Sequence, residues 1–170
     1  MNQTFEETRD TFVRQWGALG SQWGVNRTMA MIHALLLVAT EPMSTDAIME
    51  ELQVSRGNAN TNLRELVSWG LVHRVLQPGE RREFFAAEKE VWKIFCLVAR
   101  ERKRRETEPA LQVLATCAEQ SRDLDTPEAR EFHRQITALA DFVGLANTLM
   151  EKIASRDQST LLPRLLKVLN

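Results

Sequence analysis

The stretch from Met43 to Ala87, MSTDAIMEELQVSRGNANTNLRELVSWGLVHRVLQPGERREFFAA, constrains the fold of this chain more than any other segment. Ser44 predicts an N-cap, with Asp46 in the first turn and Ile48, Met49 and Leu52 on an inner face. Gln53-Val54 makes a tight turn. Ser55 caps a second helix that buries Ala59, Leu63, Leu66 and Val67, an i, i+4, i+7, i+8 pattern. Trp69-Gly70 closes it, since Gly suits the left-handed position after a helix C-terminus. Two short strands come next, Leu71–Leu76 and Arg82–Ala87, around Gln77-Pro78-Gly79-Glu80. Helix, turn, helix, hairpin is the order of a winged helix-turn-helix, a device that sets one helix in a DNA major groove and a hairpin beside the backbone. The expected fold class is mainly α with a small β-hairpin wing.

Helices flank this centre on both sides. Thr4 is a candidate N-cap for a helix to about Leu19, with Phe5, Phe12, Trp16 and Leu19 at helical spacing. Gly17, Gly20 and Gly24 are expected to loosen the chain between this helix and the next. Thr28 to Ala39 is almost wholly apolar and reads as a buried helix ended by Glu41-Pro42. His33 within it reads as a satisfied core histidine. Glu88 to about Glu106 predicts a long helix with Val91, Trp92, Phe95, Val98 and Ala99 inside, and Pro109 kinks it or starts another to about Glu119. Thr126-Pro127 opens the last long helix. Along it Phe132, Ile136, Leu139, Val143, Ala146, Met150 and Ile153 step by 4, 3, 4, 3, 4, 3. That heptad register reads as a seam, either inside one bundle or between two subunits, with the subunit interface favoured. Ser159-Thr160 precedes a short apolar helix ending LLKVL. The expected organisation is an N-terminal helix of a dimer arm over 1–27, the winged helix over 28–87, and a linker helix with a helical dimerisation region over 88–170.

Charge narrows the partners. The net charge of the whole chain is only −1, yet residues 53–105 carry twelve Lys and Arg against six carboxylates, while 1–52 and 106–170 are acidic. A basic middle between acidic ends fits a localised polyanion-binding face. With Ala59, Leu63, Leu66 and Val67 turned inward, the second helix presents Gly57, Asn60, Thr61, Arg64 and Ser68, with Ser55, Arg56 and Asn58 at its start. Arg can bond guanine O6 and N7, Asn can bond adenine N6 and N7, and the Thr methyl can touch the thymine methyl. Glu65 is the only acid between Glu51 and Glu80. Several of these residues are mediocre helix formers, so something beyond local stability selects them. Arg81 and Arg82 come after the hairpin turn and could grip phosphate or enter a minor groove. Arg74 is a weaker phosphate candidate. The run RERKRR from Arg100 to Arg105 reads mainly as a solvated helix face.

Other function classes find little support. Cys96 and Cys117 are isolated, and His33, His73 and His133 lack ligand spacing, so neither a metal site nor a disulfide scaffold is expected. No phosphate loop, GxGxxG, HExxH or GxSxG motif occurs, and neither a catalytic group nor a cofactor is implied. No signal-peptide core and no run of 18 apolar residues is present, which suggests a cytoplasmic protein without membrane spans.

The segments SRGNANTNLRELVSWGLVHRV, PGERREFFAAEKEVWKIF and ARERKRRETEP, with WGVNRTMAMIHALLL before them, resemble the GbsR branch of the MarR superfamily of winged-helix transcriptional regulators. The resemblance spans roughly residues 10–115 and is looser beyond. It implies a homodimer on double-stranded DNA, with Ser55–Trp69 as recognition helix, Pro78 to Arg82 as wing, and terminal helices building the dimer. It also implies a repressor. Some members respond to choline-like osmolytes, which would need an aromatic cage. The chain has no Tyr, and only Trp16 and Trp23 lie near each other in sequence, where core packing is the better reading. The ligand residues are not legible. The competing reading is a winged helix used as a protein-interaction module without DNA.

Overall fold

In the computed structural model, residues 4–154 are described; the side chain of Ile153 and the short apolar helix expected after Ser159-Thr160 lie outside the described residues. The chain divides into two units, one to Ile94 and one from Phe95.

In the first unit, α1 (Phe5–Gln22) begins in a full capping box: Glu7 N–H donates to the Thr4 hydroxyl, and the Glu7 carboxylate accepts from Thr4 N–H. The helix does not loosen at its glycines as the sequence suggests. It runs through Gly17 and Gly20, both buried against α2 (Arg27–Val38). A Cβ on Gly20 would lie 2.5 Å from Ala30 Cβ, so the missing side chain is what lets the two helices approach. Only Gly24, at φ 76°, turns the chain. Gly20→Ala should therefore destabilise by about 1–3 kcal/mol despite the better helix propensity of Ala. A urea titration checks this. Stabilisation would remove close approach as the reason for Gly20.

The core of the unit lies on α2. Met29, Ile32, Leu35 and Leu36 are almost fully buried, joined by Ile48, Leu63, Leu66 and Val72. Asn26, one residue earlier than expected, caps α2 by accepting from Met29 N–H at 3.1 Å. Lys89 closes its other end: Nζ donates to the carbonyls of Leu36, Leu37 and Ala39, groups that a helix C-terminus leaves without partners. His33 is core, as expected, but it is not satisfied. Its Nε2 finds no hydrogen-bond partner among the described residues.

Next come β1 (Met43–Ser44), α3 (Thr45–Leu52), α4 (Arg56–Trp69), β2 (Val72–Val75) and β3 (Phe84–Ala87). The sheet order is β1-β3-β2, antiparallel, with Met43 opposite Phe85 and Val72 opposite Ala87. The two-residue β1 is not legible in the sequence, and both wing strands are shorter than expected. Leu76 lies beyond the paired residues and is exposed to solvent.

The second unit is helical. The helix α5 (Val91–Arg102) passes through a π turn (Lys103–Thr107) into α6 (Glu108–Ser121), so Pro109 does not break the path. The wider turn absorbs a proline that has no N–H to donate. Val91 and Phe95, expected inside, are exposed. The last helix, α7 (Pro127–Ala154), starts where Thr126 accepts from Ala129 N–H at 3.2 Å and packs on α6. His133 Nδ1 lies 3.0 Å from both the Ser121 hydroxyl and the Ala118 carbonyl, tying the two helices together.

Candidate nucleic-acid interface

The helix-turn-helix is built by local rules that hold at each junction. Ser44 accepts from Ala47 N–H and Ser55 from Asn58 N–H, so both helices start on hydroxyl caps. Between them Gln53 takes the left-handed conformation at φ 54°, which turns the chain sharply. Gly70 does the same at the end of α4, at φ 77°. Ala59, Leu63 and Leu66 are buried, which fixes the rotation of α4 and leaves Gly57, Thr61, Arg64 and Ser68 exposed. Val67, expected inside, is half-buried.

The candidate side chains divide by how they are held. Arg64 is exposed and makes no ion pair or hydrogen bond among the described residues, and the same is true of Arg81 on the wing. Asn60 is half-buried and Thr61 exposed on the same face. Arg56 pairs with Asp46, Arg82 with Glu80 at 3.2 Å and Arg74 with Glu83 at 3.3 Å. All six side chains of these pairs are well exposed, so each pair is weak and open to exchange for a phosphate. Asn58 is engaged on both sides of its amide: Nδ2 donates to the Thr28 hydroxyl at 3.2 Å, and Oδ1 accepts from the buried Asn62 at 2.7 Å. It must release these partners to reach a base.

The Asn58–Thr28 bond brings the start of α2 beside the start of α4. Arg27, exposed and without an ion pair among the described residues, thus joins the edge of the face. Sequence pattern carries no signal for Arg27, because its neighbour across the fold is some 30 positions away. Gly57 has open space where its Cβ would be, so the first turn of α4 has a bare backbone edge.

The basic run beyond the wing is largely neutralised. Arg104 and Arg105 both grip Glu101, whose carboxyl they hold below its usual range, mainly through the Arg104 hydrogen bond. Arg102 pairs with Glu106, and Lys103 with Glu108 and Glu151. The two cysteines are half-buried and unpaired. Among the described residues no cluster of His, Cys, Asp and Glu could hold a metal, and no helix is long and apolar enough to cross a membrane. Trp16 and Trp23 do meet, edge to face at 6.1 Å, with Phe12 a further 5.6 Å from Trp16. One ring's edge lies against the other, but Trp16 is only half-buried and Trp23 is exposed, so the core packing expected of the pair is not found at Trp23.

Fold and face together define a winged helix-turn-helix. Comparison with known proteins refines this. Residues 23–83, the segment that holds the helix-turn-helix and most of the wing, match the family model described as the MarR family. HTH-type transcriptional repressor GbsR from Bacillus subtilis (strain 168) is 27% identical over 90 residues, 53% of this chain and 49% of that protein. The chain spans about half the length of this curated relative in the match, and it resembles the GbsR branch. A solved structure described as the crystal structure of a transcriptional regulator superimposes with a TM-score of 0.54, at 22% identity, over 88% of this chain and 99% of that one. That likeness concerns the fold.

Proposed function

We propose that this chain is a dimeric, sequence-specific DNA-binding transcriptional regulator, a repressor modulated by a small ligand. The observation that carries the reading is the outer face of α4, poor in acids, with an unpaired guanidinium at Arg64 and a second at Arg81 on the wing. The MarR-type winged helix and the repressor that it resembles support the same reading. In it α4 enters the major groove, where Arg64, Asn60 and Thr61 meet base edges. Ser55, Arg56 and Asn58 sit where the free N–H groups of the helix start face phosphate. Arg74, Arg81 and Arg82 hold the backbone beside the groove, with Arg27 at the far edge.

A two-fold dimer presents two such faces to half-sites about 34–36 Å, or a multiple of that, apart. The second copy would cover the exposed apolar side of α7. Phe132, Leu139, Ala146 and Met150 of the heptad seam are exposed, and Ile136 and Val143 are half-buried. Phe142, Leu145 and Leu149, outside the expected seam, widen the apolar surface. Apolar side chains exposed in this way along one helix support an interaction surface there.

Fluorescence anisotropy against duplex DNA from upstream of its own gene, with an unrelated duplex as control and at two salt concentrations, tests the reading. Arg64→Ala should lower affinity for the preferred site about tenfold or more while leaving the control unchanged. Arg81→Ala with Arg82→Ala should weaken both duplexes and flatten the salt slope by about two phosphate contacts. An unchanged slope would remove the wing from the interface. One observation favours a protein-docking module instead: Leu76, at the base of the wing, is 95% exposed. Absence of DNA binding at low salt, with loss of a protein partner on Leu76→Lys, would establish that alternative.

A further inference from the structure

One polar side chain of α4 faces inward. Asn62 is 3% exposed and shares the buried side of the helix with Ala59, Leu63 and Leu66. A buried amide at a position where helical spacing favours an apolar residue needs a partner. That partner is Asn58, one turn earlier. Asn62 Nδ2 donates to the Asn58 carbonyl at 2.8 Å and to Asn58 Oδ1 at 2.7 Å, which uses both of its hydrogens. Helix side chains lean towards the N-terminus, so a residue four positions on can reach back in this way. The other end of the Asn58 amide is held from a different element: Nδ2 donates to the Thr28 hydroxyl of α2 at 3.2 Å. Buried Asn62 thus fixes the polarity of an exposed amide, oxygen inward and nitrogen outward.

An asparagine reads adenine with both ends at once, accepting from N6 and donating to N7. Asn58, as held, has no accepting end to offer. Swinging it out would strand a hydrogen of Asn62 in the core, a cost that a base contact must offset. In the held state Asn58 keeps a second Nδ2 hydrogen, and Thr28, accepting at its oxygen, keeps its hydroxyl hydrogen. These donors lie beside the exposed Arg27 and suit a phosphate oxygen, which every DNA sequence presents. We infer that Asn62 is a positioning residue that sets specificity: it keeps Asn58 on the DNA backbone and withholds its amide from the bases. The inference rests on the reading of α4 as a recognition helix. Sequence readout then falls to Asn60, Thr61 and Arg64.

Selection of preferred sites from a random duplex library by the full chain, read by sequencing, tests this. Exchange of the Asn58 side-chain amide, followed by NMR without DNA, accompanies it. Asn62→Leu keeps the volume and removes the donor. It should gain an adenine preference of about fivefold or more at one base pair, which Asn62→Leu combined with Asn58→Ala should lose. Thr28→Val leaves the hold of Asn62 in place, so it should weaken all duplexes alike, about threefold, without changing the preferred site. The Asn58 amide hydrogens should exchange about tenfold faster in Asn62→Leu than in the wild type. A merely structural role for Asn62 would lower the melting temperature without moving the adenine preference. Asn62→Ala serves the same comparisons if the leucine variant does not fold. The same preferred site in the wild type and the Asn62 variants would overturn the inference. So would an adenine preference in the wild type that depends on Asn58, or wild-type amide exchange as fast as in Asn62→Leu. A wild type that binds no duplex would sink the regulator reading and the inference with it, whereas the other adverse results overturn the inference alone.

Discussion

On the proposed dimeric reading, replacing Leu139 by Asp should yield a monomer and lower operator affinity by about 100-fold or more. Leu139 lies in the heptad seam of α7 and is 49% exposed within one protomer, so the substitution leaves the protomer's own core intact. In a two-fold interface each substitution appears twice. Two carboxylates would be driven into an apolar contact without partners, at a cost of several kcal/mol. Monomers engage one half-site at a time and lose the effective concentration that links the two reading heads. Light scattering after size exclusion reads the mass, and circular dichroism should show unchanged helicity. A dimer that survives Leu139→Asp would place the subunit interface on another face.

The stability of the first unit should fall as pH drops from about 6.5 to about 4, and His33 is the reason. Burial, and secondarily the nearby Lys89 charge, push the His33 pKa from its ordinary 6.5 down to about 4. The folded protein therefore keeps His33 neutral in a range where the unfolded chain already binds the proton. Unfolded chains take up more protons there, so stability is full above pH 6.5 and is lost as pH falls towards the folded value. The difference between the two pKa values corresponds to about 3 kcal/mol. Glu88 and Glu131, held low by Lys93 and Arg134 respectively, lose their contributions only below the ordinary carboxylate range, so their effect comes at lower pH. His33→Leu keeps the volume, removes the unpartnered Nε2 and should flatten the profile between pH 4 and 6.5. Urea midpoints across that range measure it. A variant as acid-sensitive as the wild type would shift the cause to other groups.

The features legible in the sequence are mostly those that a few adjacent residues decide. Thr4, Ser44, Ser55 and Thr126 each cap the helix expected of them, because a cap needs only a hydroxyl and an N–H three residues on. The buried positions Ala59, Leu63 and Leu66 come from helical spacing, and the exposed face of α4 comes from them. The features that escape it depend on distant partners. Gly17 and Gly20 look like flexible positions until α2 is laid against them. Asn58 looks like a free base-reading amide until Thr28 and Asn62 take both its ends. The run Arg100 to Arg105 looks uniformly basic until its carboxylates are paired off and, among the described residues, Arg100 alone of its cations is left unpaired.

The order of elements, their caps and the inward faces of their helices are thus written in the linear chain, because local hydrogen bonding and the 3.6-residue period dictate them. Which polar side chains are spent on the protein itself, and which stay free, is settled only by tertiary packing, because a charge or amide is committed by its nearest partner in space. That distinction singles out Arg64, Arg81 and Arg100 from the other cations of the basic middle segment.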